Sequence, residues 1–389
     1  MTPAARFNAA IELVDRILAG ELADRALAGW GRQNRYAGSK DRAAIADLVY
    51  DALRRKRSLS ARGGGSDGRA IFLGLIRDLQ QDPHATFGAG PYAPVPLTDA
   101  EQTSGRAPLP DSAESADIPD WLWPELEASL GDLLRPVASA LQRRAPVHVR
   151  VNLAKISRDA AVARLLSEGI TSQPHALSPS ALEVTDGTRK IRHAHSYLEG
   201  LVELQDVSSQ AVADMVPLKA GETLLDYCAG GGGKTLAVAG RVRAKFYAHD
   251  YAPARMKDLP ARAERAGVPV SRLLPEDLSP SRRFDTVLID APCSGSGSWR
   301  RDPQGKWALS REKLDDLLTT QRDILRHAHS FVKPGGHLVY ATCSLLSCEN
   351  TQQIDDFQNT HQEFTLIAQQ SFTPLQGGDG FYAAVLKRD

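Results

Sequence analysis

Two cysteines of this 389-residue chain, Cys293 and Cys343, have a reactive side chain and a following serine in common. A thiolate is a strong nucleophile and can open a covalent route. A thiolate that adds to carbon 6 of a pyrimidine gives carbon 5 the enamine character it needs to accept a methyl group. A single cysteine at a strand end is more often a small buried residue, but two at neighbouring strand ends favour chemistry. Asp290 can then contact the cofactor or the base, and Lys234 can orient the base.

A glycine-rich turn, earlier in the chain, is predicted to lie close to these residues. Asp226 ends an apolar run, and four glycines, Gly230 to Gly233, precede Lys-Thr. This order predicts a strand, a tight turn and a helix start, where backbone amides can approach a ligand closely. A phosphate-binding loop has the pattern G-x-x-x-x-G-K-[ST]. Its first glycine would be residue 228, which is Cys228, so that pattern fails.

An adenosine-containing cofactor fits the turn better. An acid about 20 residues beyond such a turn can bond ribose hydroxyls, and Asp250 lies 20 residues after Gly230. Asp277 and Asp290 follow two further predicted strands, and this acidic rim suits a neutral or cationic cofactor better than a triphosphate. We therefore predict S-adenosyl-L-methionine rather than ATP, and a P-loop NTPase is the remote alternative. NAD fits less well because no G-x-G-x-x-G motif stands at a suitable helix start.

Strands and helices alternate from about residue 199, which predicts an α/β fold with a parallel, Rossmann-like sheet. In such sheets ligands bind beyond the carboxyl ends of the strands, where the glycines, acids and cysteines would meet. The predicted helices include 252–266 and 311–332. The predicted strands are 223–229, 244–250, 270–276, 284–290, 336–343 and 380–387.

The N-terminal part of the chain has a different sequence pattern. Residues 1–57 and 70–80 have helical patterns, and 82–118 are rich in Pro, Gly, Ser and Ala. We predict an all-helical domain with an irregular linker over 1–118, a small α+β RNA-binding subdomain over 119–198 and the Rossmann-like domain over 199–389.

Two basic features bear on nucleic-acid binding. The cluster Arg54–Arg57 either complements the C-terminal dipole of a helix or contacts RNA phosphates. Arg150 and Asn152, on a predicted strand, either contact a nucleic-acid backbone or lie on a solvated strand face. The chain has 47 basic and 47 acidic residues, so its net charge is zero. A zero net charge neither demands nor excludes binding to RNA.

Composition narrows the class of protein. Apolar residues make up 42% and charged residues 24% of the chain, as in soluble globular proteins. No apolar run approaches the roughly 20 residues of a membrane span, and no secretion signal opens the chain, so we expect a cytoplasmic protein that does not bind membranes. We also expect a monomer. The four cysteines include no Cys-x-x-Cys pair, which argues against a disulfide framework and against a zinc or other metal site.

Several short motifs lie along the chain, namely Asp226-x-Cys228 with the glycine turn and Lys234-Thr235, Asp290-Ala291-Pro292-Cys293-Ser294-Gly295, Tyr340-Ala341-Thr342-Cys343-Ser344, Arg150-Val151-Asn152, Gln205-Asp206-Val207-Ser208, and Asp379-Gly380-Phe381-Tyr382. Together they resemble the RsmB/Nop2/Sun family of RNA 5-methylcytosine methyltransferases, over about residues 119–389. The N-terminal helices, with Gly38-Ser39-Lys40-Asp41-Arg42 and Leu48-Val49-Tyr50, resemble the NusB-type RNA-binding bundle of the bacterial RsmB branch more loosely.

The resemblance implies a class I S-adenosylmethionine-dependent RNA (cytosine-5)-methyltransferase. It implies that Cys343 is the nucleophile and that Cys293 assists release of the product. The residues alone do not order these two. The cofactor contacts that it implies are Cys228, Ala229, Gly230, Gly231, Gly232, Gly233, Lys234, Asp250, Asp277 and Asp290.

The chain departs from the family pattern at two places. The family usually has Ala-Pro-Gly-Gly-Lys where this chain has only glycines before Lys234, so we expect a looser turn that keeps its amides. After Thr-Cys-Ser the family usually has Pro-Glu-Glu-Asn, and here Ser347-Cys348-Glu349-Asn350 stands, which makes Cys348 incidental.

The NusB-like bundle favours small-subunit ribosomal RNA over transfer RNA as the substrate. A transfer RNA cytosine-5 methyltransferase stays an alternative. So does an RNA-binding ribosome-assembly factor whose methylation is secondary.

Overall fold

The computed structural model describes residues 1–279 and 281–389. The chain forms two compact units. Unit 1 contains Met1–Arg144 and Trp299–Ala308, and unit 2 contains Ala145–Ser298 and Leu309–Asp389. The domain boundaries predicted at residues 118 and 198 stay a prediction.

Helices and strands alternate in unit 2, and helices alone form unit 1. The α-helices in chain order are α1 (Pro3–Leu18), α2 (Ala23–Gln33), α3 (Ser39–Arg54), α4 (Lys56–Gly63), α5 (Gly68–Asp78), α6 (Asp99–Thr103), α7 (Trp123–Leu130), α8 (Leu134–Leu141), α9 (Arg158–Ser167), α10 (His195–Leu198), α11 (Val207–Asp214), α12 (Gly233–Ala239), α13 (Leu259–Ala266), α14 (Pro303–Ala308), α15 (Arg311–Ala328) and α16 (Thr351–Thr360). The strands are β1 (Val147–Val151), β2 (Thr171–Pro174), β3 (Ala181–Asp186), β4 (Val202–Leu204), β5 (Thr223–Asp226), β6 (Lys245–His249), β7 (Val270–Leu273), β8 (Phe284–Asp290), β9 (Val332–Thr342), β10 (Phe364–Phe372) and β11 (Phe381–Arg388).

Unit 1 is built on the apolar faces of α1, α3 and α5, which meet in one core around Leu13, Ile45 and Phe72. Two glycines let α4 and α5 approach closely. A Cβ on Gly63 would lie 1.8 Å from the Ala70 carbonyl oxygen, and one on Gly74 would lie 2.0 Å from the Leu59 carbonyl oxygen. The close approach therefore requires glycine at both positions.

The basic cluster Arg54–Arg57 is bound within unit 1. Arg54 is buried, Arg55 lies between two carboxylates, Lys56 lies over an aromatic ring and Arg57 forms an ion pair. These contacts are with groups of unit 1, and both alternatives for the cluster, the helix dipole and RNA phosphates, stay predictions. The partners are the Arg300 carbonyl for Arg54, Asp51 and Asp78 for Arg55, Trp307 for Lys56 and Asp120 for Arg57.

Unit 2 contains a small antiparallel sheet with the strand order β2-β3-β1-β4. Arg150 lies near the end of strand β1 of this sheet, and Asn152 follows directly after the strand. Both side chains are buried, with 5% and 7% of the residue exposed. Both earlier interpretations of these two residues, a solvated strand face and a nucleic-acid contact, are therefore wrong, because the side chains bind the protein backbone. Asn152 Nδ2 donates to the carbonyl oxygens of Gly200 and Ala266 at 3.2 and 2.9 Å.

The larger sheet of unit 2 has the order β10-β11-β9-β8-β5-β6-β7. The strands from β9 to β7 are parallel, and β11 runs antiparallel between β9 and β10. The predicted α/β fold with a parallel, Rossmann-like sheet is confirmed. Because β5, β6, β8 and β9 are parallel, their carboxyl ends lie at one edge, where the predicted site residues follow.

Several predicted boundaries change. The first predicted strand, 223–229, ends at Asp226, and β9 begins at residue 332 instead of 336. The predicted helix 252–266 is a 3₁₀ turn at Pro253–Met256 followed by α13, because Pro260, in the interior of the predicted helix, interrupts it. Strand β10 was not predicted; it is an edge strand whose residues are mostly exposed. Among the described residues, no helix has the length and apolar character that a membrane crossing needs.

Candidate active site

Lys234 and Asp290 form the charged centre of the sheet edge. Lys234 is the second residue of α12, and Asp290 is the last residue of β8. The Lys234 Nζ atom lies 2.7 Å from Asp290 Oδ2 and 4.9 Å from the centre of the Phe381 ring. Burial alone would lower the pKa of Lys234, but Asp290 and then the negative charges of Cys343 and Asp226 raise it. The ammonium group therefore stays charged although it is buried.

Cys293 and Cys343 come together as predicted for neighbouring strand ends. Their Sγ atoms are 3.3 Å apart, in the loops that follow β8 and β9. The hydrogen bond with Cys343, burial, and the charges of Cys343 and Glu349 raise the pKa of Cys293 well above its usual value. Cys293 is therefore held as a neutral thiol. The charge of Cys343, in turn, is one of those that raise the pKa of the Lys234 ammonium.

Glu349 joins the two cysteine loops. Its carboxylate is fully buried and accepts hydrogen bonds from the Ser294 amide at 2.8 Å, Ser294 Oγ at 2.5 Å, and Ser344 Oγ. Gln321 Nε2, from α15, also donates to it at 3.0 Å. Glu349 was not predicted to be a site residue, although it lies in a stretch that departs from the family pattern. Its closeness to Ser344 in the sequence was the signal that could have indicated a role.

Asp250 holds the glycine turn from the end of the neighbouring strand. Its Oδ2 accepts from the Gly230 amide at 3.0 Å, and its Oδ1 accepts from the Ala252 amide at 3.0 Å. Gly230 has a φ of +49°, and a Cβ placed on it would meet no atom within 4 Å. The turn therefore has an open side beside Asp250, where glycine leaves room for a ligand.

The carbonyl oxygens of the turn are bound from the opposite side. Arg150 Nη1 donates to the Gly233 carbonyl at 2.9 Å and also to Gln205, whose own amide donates to the same carbonyl at 3.3 Å. Arg262 Nη1 donates to the Gly231 carbonyl at 2.5 Å. Burial lowers the pKa of Arg150 to about 10, so it remains a cation. These contacts hold the turn in place without the proline that the family usually has there.

Asp226 lies in a motif found in the sequence but was not predicted to be a site residue. It is 1% exposed; Oδ2 accepts from Thr235 Oγ1 at 2.6 Å, and Oδ1 has no hydrogen-bond partner among the described residues. Burial raises its pKa to about 7. A buried acceptor without a partner beside an open glycine turn fits a ligand that brings a positively charged donor. S-adenosylmethionine, with its ammonium and sulfonium groups, has that chemistry.

The other predicted cofactor residues differ in their surroundings. The Ala229 amide donates to the His249 carbonyl at 2.8 Å, which joins the turn to the end of β6. Burial, followed by the charges of three carboxylates, raises the pKa of Cys228, so this thiol is neutral. Asp277 is exposed, and its Oδ2 accepts from the Leu274 amide at 2.8 Å within its own short turn. In the described part of the chain, no group of three or more His, Cys, Asp or Glu residues is arranged to hold a metal ion.

Comparisons with known proteins agree with this geometry. A family model described as 16S rRNA methyltransferase RsmB/F matches residues 213–387, and one described as Methyltr_RsmF/B-like, ferredoxin-like domain, matches residues 118–189. The chain is similar to ribosomal RNA small subunit methyltransferase B of Klebsiella pneumoniae, with 33% identity over 90% of this chain and 91% of the relative. The protein of the same name from Photorhabdus laumondii is 32% identical over 69% of this chain, and the match spans 66% of that relative's length.

A solved structure extends the fold comparison to the whole chain. The crystal structure of PH0851 has a TM-score of 0.79 and 24% identity, and the match covers 100% of this chain and 99% of that one. This likeness concerns the fold alone.

Proposed function

The chain belongs to the RsmB/F methyltransferase family, and from this premise we propose that it is an RNA (cytosine-5)-methyltransferase that acts on small-subunit ribosomal RNA. The observation that carries the proposal is the pair of thiols 3.3 Å apart near the ion pair that the buried Lys234 makes with Asp290. Thiols suit methylation at carbon 5, which needs a nucleophile at carbon 6. Methylation at an exocyclic nitrogen or at a ribose oxygen needs no covalent attachment to the enzyme.

S-adenosylmethionine is the cofactor, and it supplies an electrophilic methyl group when it is bound. The residues that we propose to hold it are those around the open side of the turn. Asp250 faces it from β6, and the glycine amides come from the loop after β5. The partnerless Asp226 Oδ1 accepts from its ammonium group. Asp277 is the least supported of the predicted contacts, because its carboxylate caps its own turn.

Cys343 is the proposed nucleophile. Its thiolate adds to carbon 6 of cytosine, and the electron pair of the carbon 5–carbon 6 double bond becomes available at carbon 5. Lys234 stabilises the thiolate before attack and, with Asp290, orients the base. A preorganised charge in a buried site acts more strongly than it would in water.

Cys293 is the proposed release residue. The first cause of its raised pKa is its hydrogen bond to Cys343, and the Cys343 charge is another. Both are lost once the Cys343 sulfur is bonded to carbon. Cys293 can then lose its proton to solvent and take the proton from carbon 5. The carbon–sulfur bond breaks, its electron pair returns to the Cys343 sulfur, and the carbon 5–carbon 6 double bond forms again.

The names of the relatives support small-subunit ribosomal RNA as the proposed substrate. Proteins named ribosomal RNA small subunit methyltransferase B match most of the chain. A cytosine in structured RNA must leave its stack before a thiol can reach carbon 6. Bisulfite sequencing of total RNA from cells with and without the gene tests this substrate. One cytosine of small-subunit ribosomal RNA should lose its methylation, whereas a loss confined to transfer RNA would support the alternative substrate.

Two cysteine variants test the chemistry. We expect Cys343→Ala to lower kcat for methyl transfer by at least about 10³-fold while calorimetry still shows S-adenosylmethionine binding. Cys293→Ala should accumulate a covalent protein–RNA adduct that survives a denaturing gel. Full activity of Cys343→Ala would rule out the nucleophile. Cofactor binding without turnover on any RNA by the unaltered protein would favour the assembly-factor alternative.

A further inference from the structure

The proposed reaction gives no role to Glu349, although its carboxylate is completely buried beside both cysteine loops. Burying a carboxylate is costly unless hydrogen bonds satisfy it. Here each oxygen accepts two. Oε1 accepts from the Ser294 amide and Gln321 Nε2, and Oε2 accepts from the hydroxyls of Ser294 and Ser344. All four donors have a hydrogen to give, so the ionised carboxylate satisfies each of them.

The donors belong to three separate elements. Ser294 follows Cys293 in the loop after β8, Ser344 follows Cys343 in the loop after β9, and Gln321 lies on α15. One carboxylate thus ties together the residues next to both thiols. Between the two serines themselves, the hydroxyl oxygens are 3.4 Å apart, which is a weaker link than either bond to the carboxylate.

Glu349 is itself held in place. The Tyr340 hydroxyl donates to the Glu349 carbonyl at 2.8 Å. The next residue, Asn350, accepts from Thr342 Oγ1 at 2.5 Å and donates to the Ser344 carbonyl at 3.0 Å, on both sides of Cys343. The carboxylate is therefore a fixed anchor, and the loops adjust to it.

We propose that Glu349 is a positioning residue that sets the distance between the Cys293 and Cys343 thiols. The proposal rests on the proposed function for the reaction that this spacing serves, namely addition by one thiol and release by the other. The spacing itself depends only on the contacts of the carboxylate. A displacement of about 1 Å in such a site can lower a rate by about 10²-fold.

Phenylarsine oxide measures the spacing without RNA or cofactor. Its arsenic binds two neighbouring thiol sulfurs and releases one water molecule, so affinity depends on how the protein holds the pair. Glu349→Gln keeps the length of the side chain but replaces one carboxylate oxygen, an acceptor, with an NH₂ group. This donor then faces the other donors around it. Glu349→Asp keeps the charge but shortens the reach. In the full-length protein, we expect both changes to weaken phenylarsine oxide binding by about tenfold or more.

The same variants are then assayed for methyl transfer. We expect kcat to fall by about 10²-fold while KM for RNA changes by less than about threefold, because the carboxylate does not face the substrate. Asp285→Asn is the matched control. It makes a carboxylate-to-amide change at the opposite end of β8, where Asp285 binds Thr223 and Lys333, and it should leave the arsenical affinity unchanged.

The outcomes are separable. Unchanged arsenical affinity in Glu349→Gln and Glu349→Asp, with thermal unfolding like that of the unaltered protein, overturns the proposal. Should both variants fail to fold, Ser294→Ala and Ser344→Ala decide, since each removes one hydroxyl link: weaker binding supports the proposal and unchanged binding overturns it. If Cys343→Ala keeps full methyl transfer while the Glu349 variants lose arsenical affinity, the proposed nucleophile fails and the positioning role stands.

Discussion

Lys234 of unit 2 and Lys306 of unit 1 are both buried, with 5% and 1% of each residue exposed. Each Nζ atom lies near an aromatic ring, at 4.9 Å from the Phe381 centroid and 4.6 Å from the Trp307 centroid. By residue type, burial and ring contact the two side chains are alike. Their pKa values nevertheless move in opposite directions.

The difference lies in the charged partners. Lys234 has the Asp290 carboxylate at 2.7 Å, and its pKa is raised. Lys306 donates to the Arg54 carbonyl at 3.0 Å. Burial, with the cations Arg54 and Lys56 nearby, lowers its pKa to about 8 in spite of Asp117. Of these two lysines, Lys234 is the one whose pKa is raised by a carboxylate at ion-pair distance, which suits the charged role proposed for it. Lys306 instead donates to a backbone carbonyl within unit 1.

The test with the largest expected effect replaces each of the two lysines in turn with an uncharged residue. Lys234→Met should lower kcat for methyl transfer by about 10³-fold, because it removes the cation near the proposed nucleophile Cys343. Lys306→Met is the matched change at the other buried lysine and should leave kcat within about threefold. Single-turnover methyl transfer to RNA measures both. Equal losses in the two variants would remove the contrast between a catalytic and a structural lysine.

The pH dependence of stability tests Lys306 next. Its folded pKa of about 8 lies below the 10.5 of a free lysine, so the unfolded chain binds more protons between these values. Stability from this group therefore rises as pH increases from about 8 to 10.5, and the cost of burying the charge is fully present below about pH 8. The difference amounts to about 3 kcal/mol.

Urea unfolding of the unaltered protein and of Lys306→Met, compared between pH 7 and 10, isolates this lysine because all other groups cancel. The free energy of unfolding of the unaltered protein should rise relative to that of the variant as pH increases. A difference that stays constant with pH would mean that Lys306 keeps its ordinary pKa.

The same contrast shows how far the sequence could lead. The family motifs and the strand–helix alternation predicted the sheet, the cofactor and the convergence of Cys293, Cys343, Lys234 and Asp290, because parallel strands bring their ends together whatever their exact lengths. The role of Arg150 could not be read from one strand. It depends on the carbonyl of Gly233, 83 residues away in the chain.

Glu349 and β10 were missed for other physical reasons. A single Glu in a polar stretch gives no periodic signal, and its burial results from the meeting of two loops and a helix. Strand β10 pairs at a sheet edge with mostly exposed residues, so it lacks the alternation that identifies a half-buried strand. The burial of Glu349 and the pairing of β10 both result from tertiary contacts, which the local sequence pattern does not reveal.

A smaller effect is expected at Asp226, whose charge is among those that raise the pKa of Lys234. Because burial raises the Asp226 pKa to about 7, its carboxylate becomes neutral as pH falls through that value. Calorimetry should show S-adenosylmethionine binding that weakens by up to about tenfold from pH 8 to pH 6, and Asp226→Asn should remove this dependence. An unchanged pH profile in Asp226→Asn would show that its orphan oxygen does not face the cofactor.

The smallest effect tests whether the two aromatic rings are as equivalent as their distances suggest. Phe381→Leu removes the ring beside Lys234 but keeps an apolar side chain, and should lower stability by about 1 kcal/mol through the lost cation–π contact. Trp307→Leu should be more costly, because Trp307 Nε1 also donates to the Leu53 carbonyl at 2.7 Å and because Lys56 shares the ring. Urea unfolding of both variants gives the comparison. A larger loss of stability for Phe381→Leu than for Trp307→Leu would contradict this ranking of the two ring contacts.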